Sequence, residues 1–160
     1  LLDKIQFCGT EDMIAAGALY TLAGDATEGY LSLSDYASLA EENLPMVREY
    51  KEAVGKYADP KLVALMEQGA VVWQGWSQPV VACEAIKRAL EKNGYPISGS
   101  DVKEALEDMR NFDTGGLCYP ISYSTTERRG VHYDRIYRIE NGKAKFLTDW
   151  IKLPDMAPKG

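Results

Sequence analysis

The chain has 160 residues, 46% of them hydrophobic, and a formal charge of −6 at neutral pH. That length supplies one ordinary core. No apolar run approaches the roughly 20 residues of a membrane-spanning helix, the N-terminus lacks a basic segment leading into an apolar signal core, and the excess of acid repels phosphates and so excludes general nucleic-acid affinity. The chain begins Leu-Leu-Asp, directly before a strand-like segment. A processed or truncated product is therefore expected, with any export signal out of view.

Lys4 to Cys8, KIQFC, reads as a buried strand ending at Gly9. A small-residue helix is expected over about Met13 to Ala23, with Ile14, Ala18 and Leu22 on its buried face and Gly24 as its stop. Strand, turn and helix in that order make an α/β unit, and such units hold ligands at the carboxyl ends of their strands, where Glu11 stands. An acidic residue there is equally a dipole-favourable helix cap. Gly29 to Leu33 alternates as a second strand, and Ser34 to Asn43 leaves it without periodicity, as a chain crossing between substructures would.

Val47, Tyr50, Val54 and Tyr57 recur at helical spacing between Leu44 and Tyr57, and Asp59-Pro60 breaks that helix ahead of a short turn over Lys61 to Met66. The stretch Ala70 to Leu90 joins Trp73, Gly75, Trp76 and Pro79 to an amphipathic helix. Because Pro79 cannot donate a backbone hydrogen bond, the regular helix is expected to start near Ser77, with Pro79 in its first turn and Ala82, Cys83, Ile86, Ala89 and Leu90 on the core face. The indoles would then flank a helix N-terminus, which favours anionic groups, although simple packing explains them as well. Ser100 or Asp101 is expected to cap a further helix, with Asp101 and Glu104 at capping-box spacing. Ile121 to Tyr123 has the composition of a short strand.

The strongest local pattern comes last. Asp134 to Ile139 and Lys143 to Thr148 flank Asn141-Gly142, the preferred type I′ hairpin turn. Its register sets Glu140 opposite Lys143, with an ion pair at the turn, Ile139 opposite Ala144 and Tyr137 opposite Phe146. Pro154 onward reads as a tail.

Catalytic patterns are not found. Neither GxGxxG, GxxxxGK[ST] nor GxSxG occurs, and the single histidine, His132, has no carboxylate or thiol at triad or metal-ligand spacing. Cys8, Cys83 and Cys118 form neither a zinc motif nor a disulfide framework, and Cys8 and Cys83 read as small buried hydrophobes. No cofactor or metal is implied. Ten Tyr against three Phe suit a pocket whose walls both stack and hydrogen-bond.

Three ordered stretches resemble the C-terminal half of the type I periplasmic solute-binding proteins of ABC importers, the branched-chain amino-acid or Leu/Ile/Val-binding family. They are Phe7 to Leu33, with a Gly-x-Glu turn and an Ala-Gly-x-Ala-x-Glu-Gly lead into the next strand; Gly75-Trp76 with Glu84 to Ala89; and Ala105 to Leu117 followed by Pro120-Ile121 and the closing hairpin. The resemblance implies an α/β fold of two Rossmann-like lobes linked by three crossovers, of which only the C-terminal portion is present: 1–35 part of the second lobe, 36–115 part of the first, 116–150 a return to the second, and 151–160 a tail. It also implies a solute cleft between lobes that close by hinge motion. By that resemblance Glu11 holds the ammonium of an amino-acid ligand, and Val72, Trp73 and Gln74, with Trp76 nearby, line its side-chain pocket. An aromatic wall suits an amino acid or organic solute larger, flatter or more cationic than leucine.

The function implied is the solute-capturing, non-enzymatic subunit of an ABC uptake transporter, periplasmic or at the cell surface, with a small-molecule ligand and the transporter's membrane subunits as partners. Two other readings stand beside it: a ligand-sensing domain of a receptor or regulator on the same fold, and an α/β enzyme whose other residues lie elsewhere. Many relatives have His where Arg128 stands. A half-fold leaves strand edges and helix faces uncovered, so a dimer or an exchange of segments is expected.

Overall fold

The computed structural model describes residues 5–9, 20, 22–66 and 70–154. Two parts share it: a helical layer in the middle of the chain and a small antiparallel sheet built from its two ends. The first expected helix, together with Glu11, falls almost wholly outside the described residues. At its end Leu22, expected on the buried face, is 86% exposed where the chain turns at Gly24 (φ +54°) into a 3-10 turn, Gly24–Thr27.

Strand β1 is Leu31–Ser34, and the hairpin consists of β2, Tyr133–Glu140, and β3, Lys143–Phe146. A two-residue strand β4, Ile151–Lys152, extends the sheet into the expected tail by pairing with the start of β2. The hairpin register is the expected one: Glu140 faces Lys143, Ile139 faces Ala144 and Tyr137 faces Phe146. Asn141 (φ +53°) and Gly142 (φ +71°) supply the two positive φ angles a type I′ turn demands. The expected turn ion pair is corrected. Glu140 instead engages Arg138 and, diagonally, Lys145 at 2.8 Å; side chains two apart on one strand share a face, and sheet twist brings the diagonal neighbour within reach. Across 113 residues of sequence, the Glu28 carboxylate accepts the amides of Asn141 (3.0 Å) and Gly142 (2.7 Å), tying the turn to the segment before β1.

β1 pairs antiparallel with the other edge of β2, Ser32 against Tyr137 and Ser34 against Arg135. Among the described residues the expected first strand is represented by a parallel bridge, Cys8 to Leu31, and Cys8 is exposed rather than buried. Beyond Ser34 the chain leaves the sheet beside the segment returning to it: Tyr36 bridges Cys118, and the Ala37 amide donates to the Leu117 carbonyl at 2.7 Å.

Helix α1, Pro45–Tyr57, begins with proline at a position where no intrahelical donor is required. It buries Met46, Val47, Tyr50 and Val54, whereas Tyr57, expected on the same face, is 74% exposed in the last turn. Asp59 accepts the Lys61 amide at 2.9 Å and starts α2, Pro60–Met66. Helix α3 is longer than expected, Ala70–Asn93, with Pro79 inside it. Pro79 removes one hydrogen bond and crowds the carbonyl four residues back, at a cost of about 3 kcal/mol. Continuing the helix upstream seats Trp73 and Ser77, 2% and 8% exposed, on its buried face; loss of a buried Trp costs about 3–5 kcal/mol, enough to offset the proline.

The core face of α3 is also corrected. Ala89 is buried as expected, together with Trp73, Ser77 and Ala85, while Ala82, Cys83, Ile86 and Leu90 are exposed. Helix α4, Gly99–Glu107, packs against α3, and small residues at Ala85 and Ala89 permit close approach that larger side chains would block. Its cap is Ser98, not Ser100 or Asp101. The Ser98 hydroxyl accepts the Asp101 amide (3.3 Å) and the Asp101 carboxylate accepts the Ser98 amide (2.6 Å), a capping box one turn earlier than the expected spacing. The strand expected at Ile121 to Tyr123 reduces to one antiparallel bridge between Phe112 and Ile121.

Candidate functional site

Of the residues expected to bind a solute, Glu11 lies outside the described residues. The other four, Val72, Trp73, Gln74 and Trp76, occupy the first turns of α3. Trp73 sits in the main core with Val47, Val54 and Leu117, its ring centroid 4.8 Å from that of Tyr50. Trp76 meets Tyr50 edge-on at 5.3 Å and donates its indole N–H to the Met46 sulfur at 3.0 Å. Tyr50 in turn donates its hydroxyl to the Met66 carbonyl at 2.8 Å. Val72 and Gln74 are half-buried. Both indoles thus pack on α1, Trp73 fully buried, while Val72, Gln74 and Trp76 are half-buried and keep some surface free.

One turn further along α3 a cavity of about 740 Å³ opens between α3, α4 and the segment from Cys118 to Val131. Ser77 and Val81 of α3, Leu106 of α4, and Tyr36, Ile121 and Tyr123 form much of its wall, with Asp35 at the end of β1. Asp35 occupies the tip of a tight turn: the Ser34 hydroxyl accepts the Tyr36 amide (3.2 Å) and donates to the Tyr36 carbonyl (3.0 Å). The Tyr36 hydroxyl lies 3.3 Å from the Ser77 hydroxyl, which holds one ring of the wall against α3.

Burial pushes the Cys118 thiol up to about 11, with the nearby Asp35 and Asp113 charges adding to it. Burial likewise raises the Tyr123 phenol and the Asp134 carboxyl, the latter also facing the Asp35 charge. Of the expected residues that are described, Val72, Trp73, Gln74 and Trp76, none lines this cavity. The available signal was Ser34-Asp35-Tyr36, a polar triplet directly after a strand, but no spacing rule joins it to α3 or to Ile121. Among the described residues no group of three or more His, Cys, Asp or Glu could hold a metal ion, and no helix is long and apolar enough to cross a membrane.

No protein-family model and no curated protein matches the sequence. Solved structures do. A branched-chain amino-acid ABC transporter protein from Thermus thermophilus, solved with bound valine, superposes with a TM-score of 0.80 at 26% identity over 93% of this chain and 40% of that one. An ABC transporter substrate-binding protein from Aeropyrum pernix gives 0.71 at 18% identity, over 97% of this chain and 40% of that one. The leucine-binding protein LivK from Thermotoga maritima gives 0.65 at 20% identity, over 93% and 38%. The chain spans about two fifths of the length of these proteins. It has the α/β fold of the C-terminal portion of the type I periplasmic solute-binding proteins, the branched-chain amino-acid group of ABC importers.

Proposed function

We propose that the chain is part of an extracytoplasmic solute-binding protein that captures an amino acid or similar small organic solute for an ABC importer without altering it. The observation that carries this reading is the superposition, at a TM-score of 0.80, on a transporter protein solved with valine. In this proposal Glu11 neutralises the solute's ammonium, Val72 and Gln74 present the wall of the side-chain pocket, and Trp73 and Trp76 stiffen that wall from behind through their contacts with Tyr50. A rigid support beneath a binding wall limits the ordering cost of binding. Segments 1–35 and 116–150 would belong to one lobe and 36–115 to the other, with the membrane subunits of the importer as the downstream partner. A dimer or an exchange of segments would cover the exposed Ile86 and Leu90.

The test is a titration of the chain with valine, leucine and phenylalanine, followed by Trp fluorescence, in parallel with Glu11→Gln. Saturable binding is expected, weakened about tenfold or more by the substitution because a charge-assisted hydrogen bond is lost. Absence of a saturable response to all three amino acids would refute the proposal.

A further inference from the structure

We propose that Tyr119 and Tyr133 form a site of oxidative modification, at which a diffusible one-electron oxidant joins the two rings as an intramolecular dityrosine. Their centroids lie 3.6 Å apart, with the planes 18° from parallel. Because carbon atoms in contact sit about 3.5 Å apart or more, that spacing leaves the rings almost fully overlapped. Aromatic pairs ordinarily prefer offset or edge-on contact, so the backbone on each side holds this one in place. Tyr133 opens β2 and pairs with Lys152 of β4, and Tyr119 follows Cys118, which bridges Tyr36 just beyond β1.

The two phenols also point the same way. The Tyr133 hydroxyl is within hydrogen-bonding reach of the Tyr119 hydroxyl and holds that phenol above its ordinary 10. Rings that overlap with their hydroxyls together also bring the carbons ortho to those oxygens into contact, and these are the carbons at which phenoxyl radicals couple. Each ring gives one electron to the oxidant and its phenolic proton to water. The ortho carbons then form one C–C bond, and enolisation moves the hydrogen of each onto the neighbouring oxygen. The pair loses two electrons and two protons in all.

Neighbouring groups favour that outcome over oxidation elsewhere. The Trp150 indole meets Tyr119 edge-on at 6.1 Å, but the Arg135 guanidinium lies 4.6 Å from the indole and opposes a positive charge there. A phenol sheds its charge with its proton, and both tyrosines are half-buried, with water in reach. Tyr57 and Tyr95 are 74% and 90% exposed, yet coupling them between molecules needs an encounter that the stacked pair has already made. The new bond closes a loop over residues 119–133 and clamps Ile121, Tyr123 and Val131 in the wall of the large cavity. Neither tyrosine belongs to the set assigned to solute capture, so the inference does not rest on the proposed function.

The experiment is photo-oxidation of the dilute 160-residue chain with tris(bipyridine)ruthenium(II) and persulfate, one persulfate taking up the two electrons, after the exposed thiols of Cys8 and Cys83 have been alkylated. The tryptic peptides Asn111 to Arg128 and Gly130 to Arg135 are expected to remain joined, with dityrosine fluorescence and a mass two hydrogens below their sum. Tyr119→Phe and Tyr133→Phe, which keep the stacked rings, should each lower the yield of that linked pair about tenfold or more, and unfolding in urea before oxidation should do the same. Tyr123→Phe, in the same peptide as Tyr119, should leave the yield unchanged. The proposal is overturned if the linked pair does not form, if Tyr123→Phe removes it while Tyr119→Phe does not, or if the unfolded chain gives the same yield.

Discussion

Trp73 and Arg135 each anchor one region of the molecule, and they are held by different physics. Around Trp73 the helical layer is secured by apolar contact. Tyr50, Val47, Val54 and Leu117 surround the indole, and the polar tips of Tyr50 and Trp76 are led away to Met66 and Met46. Around Arg135 the sheet is secured by one charged group placed between aromatic faces. Its guanidinium lies 3.5 Å from the Phe146 ring centroid and 4.6 Å from that of Trp150, and donates two parallel hydrogen bonds to Glu41 at 2.9 and 2.8 Å. Apolar packing tolerates small shifts, whereas a forked guanidinium-carboxylate pair fixes both distance and orientation. Because Glu41 lies on the segment that leads from β1 to α1, the pair fixes how the sheet sits against the helices. The helical layer therefore carries much of the stability, and the sheet carries the geometry.

Trp73→Ala breaks the comparison on its apolar side and should have the largest effect, about 3–5 kcal/mol of destabilisation in urea unfolding, since a fully buried indole leaves a cavity the neighbours cannot close. Arg135→Ala breaks the other side. Breaking a fully buried pair costs about 3–5 kcal/mol; with the Glu41 side chain 29% exposed, a smaller loss of about 2–3 kcal/mol is expected. The two regions separate in the double variant of Arg135→Met with Glu41→Gln, which removes both charges and should recover part of that loss.

Acid sharpens the same contrast. Burial alone would raise the Glu41 carboxyl, but the Arg135 hydrogen bonds, the Ser38 amide and the Arg135 charge together hold it below its ordinary 4.5. A folded-state pKa below the unfolded one means that this contribution is present above about pH 4.5 and is lost as pH falls through the lower folded value. Asp134 has the opposite sign: burial first, and then the Asp35 charge, raise its carboxyl, so its protonation in acid relieves a cost. Glu41→Gln should therefore lose less stability than the parent between pH 7 and pH 3 in urea titrations, while Trp73→Ala should keep the parent's pH dependence. The smallest effect is expected at α4, where Ser98→Ala removes one half of the capping box and should cost about 1 kcal/mol without altering either anchor.

Much of the fold was legible because its signals were local. Asn141-Gly142 dictates a type I′ turn through backbone sterics alone, and the turn then sets the register of every facing pair in the hairpin. Helix α1 was equally legible, since Val47, Tyr50 and Val54 face one neighbour at one period. The buried face of α3 was legible only at Ala89, because hydropathy favours Ile86 and Leu90, whereas close contact with α4 selects Ala85 beside Ala89. Pro79 misled for a related reason: its local penalty is real, but the burial of Trp73 above it offsets that penalty. The cysteines divide the same way, with Cys118 buried and Cys8 and Cys83 exposed.

The sequence by itself determined most of the helical and hairpin segments and the likeness to a solute-binding fold, because propensity and turn sterics are properties of neighbouring residues. Only the tertiary structure decided that Arg135 locks onto Glu41 from 94 positions away, and that Asp35, Val81, Leu106 and Ile121 enclose one cavity. Those arrangements depend on distances between segments that chain folding brings together, and no local period encodes them.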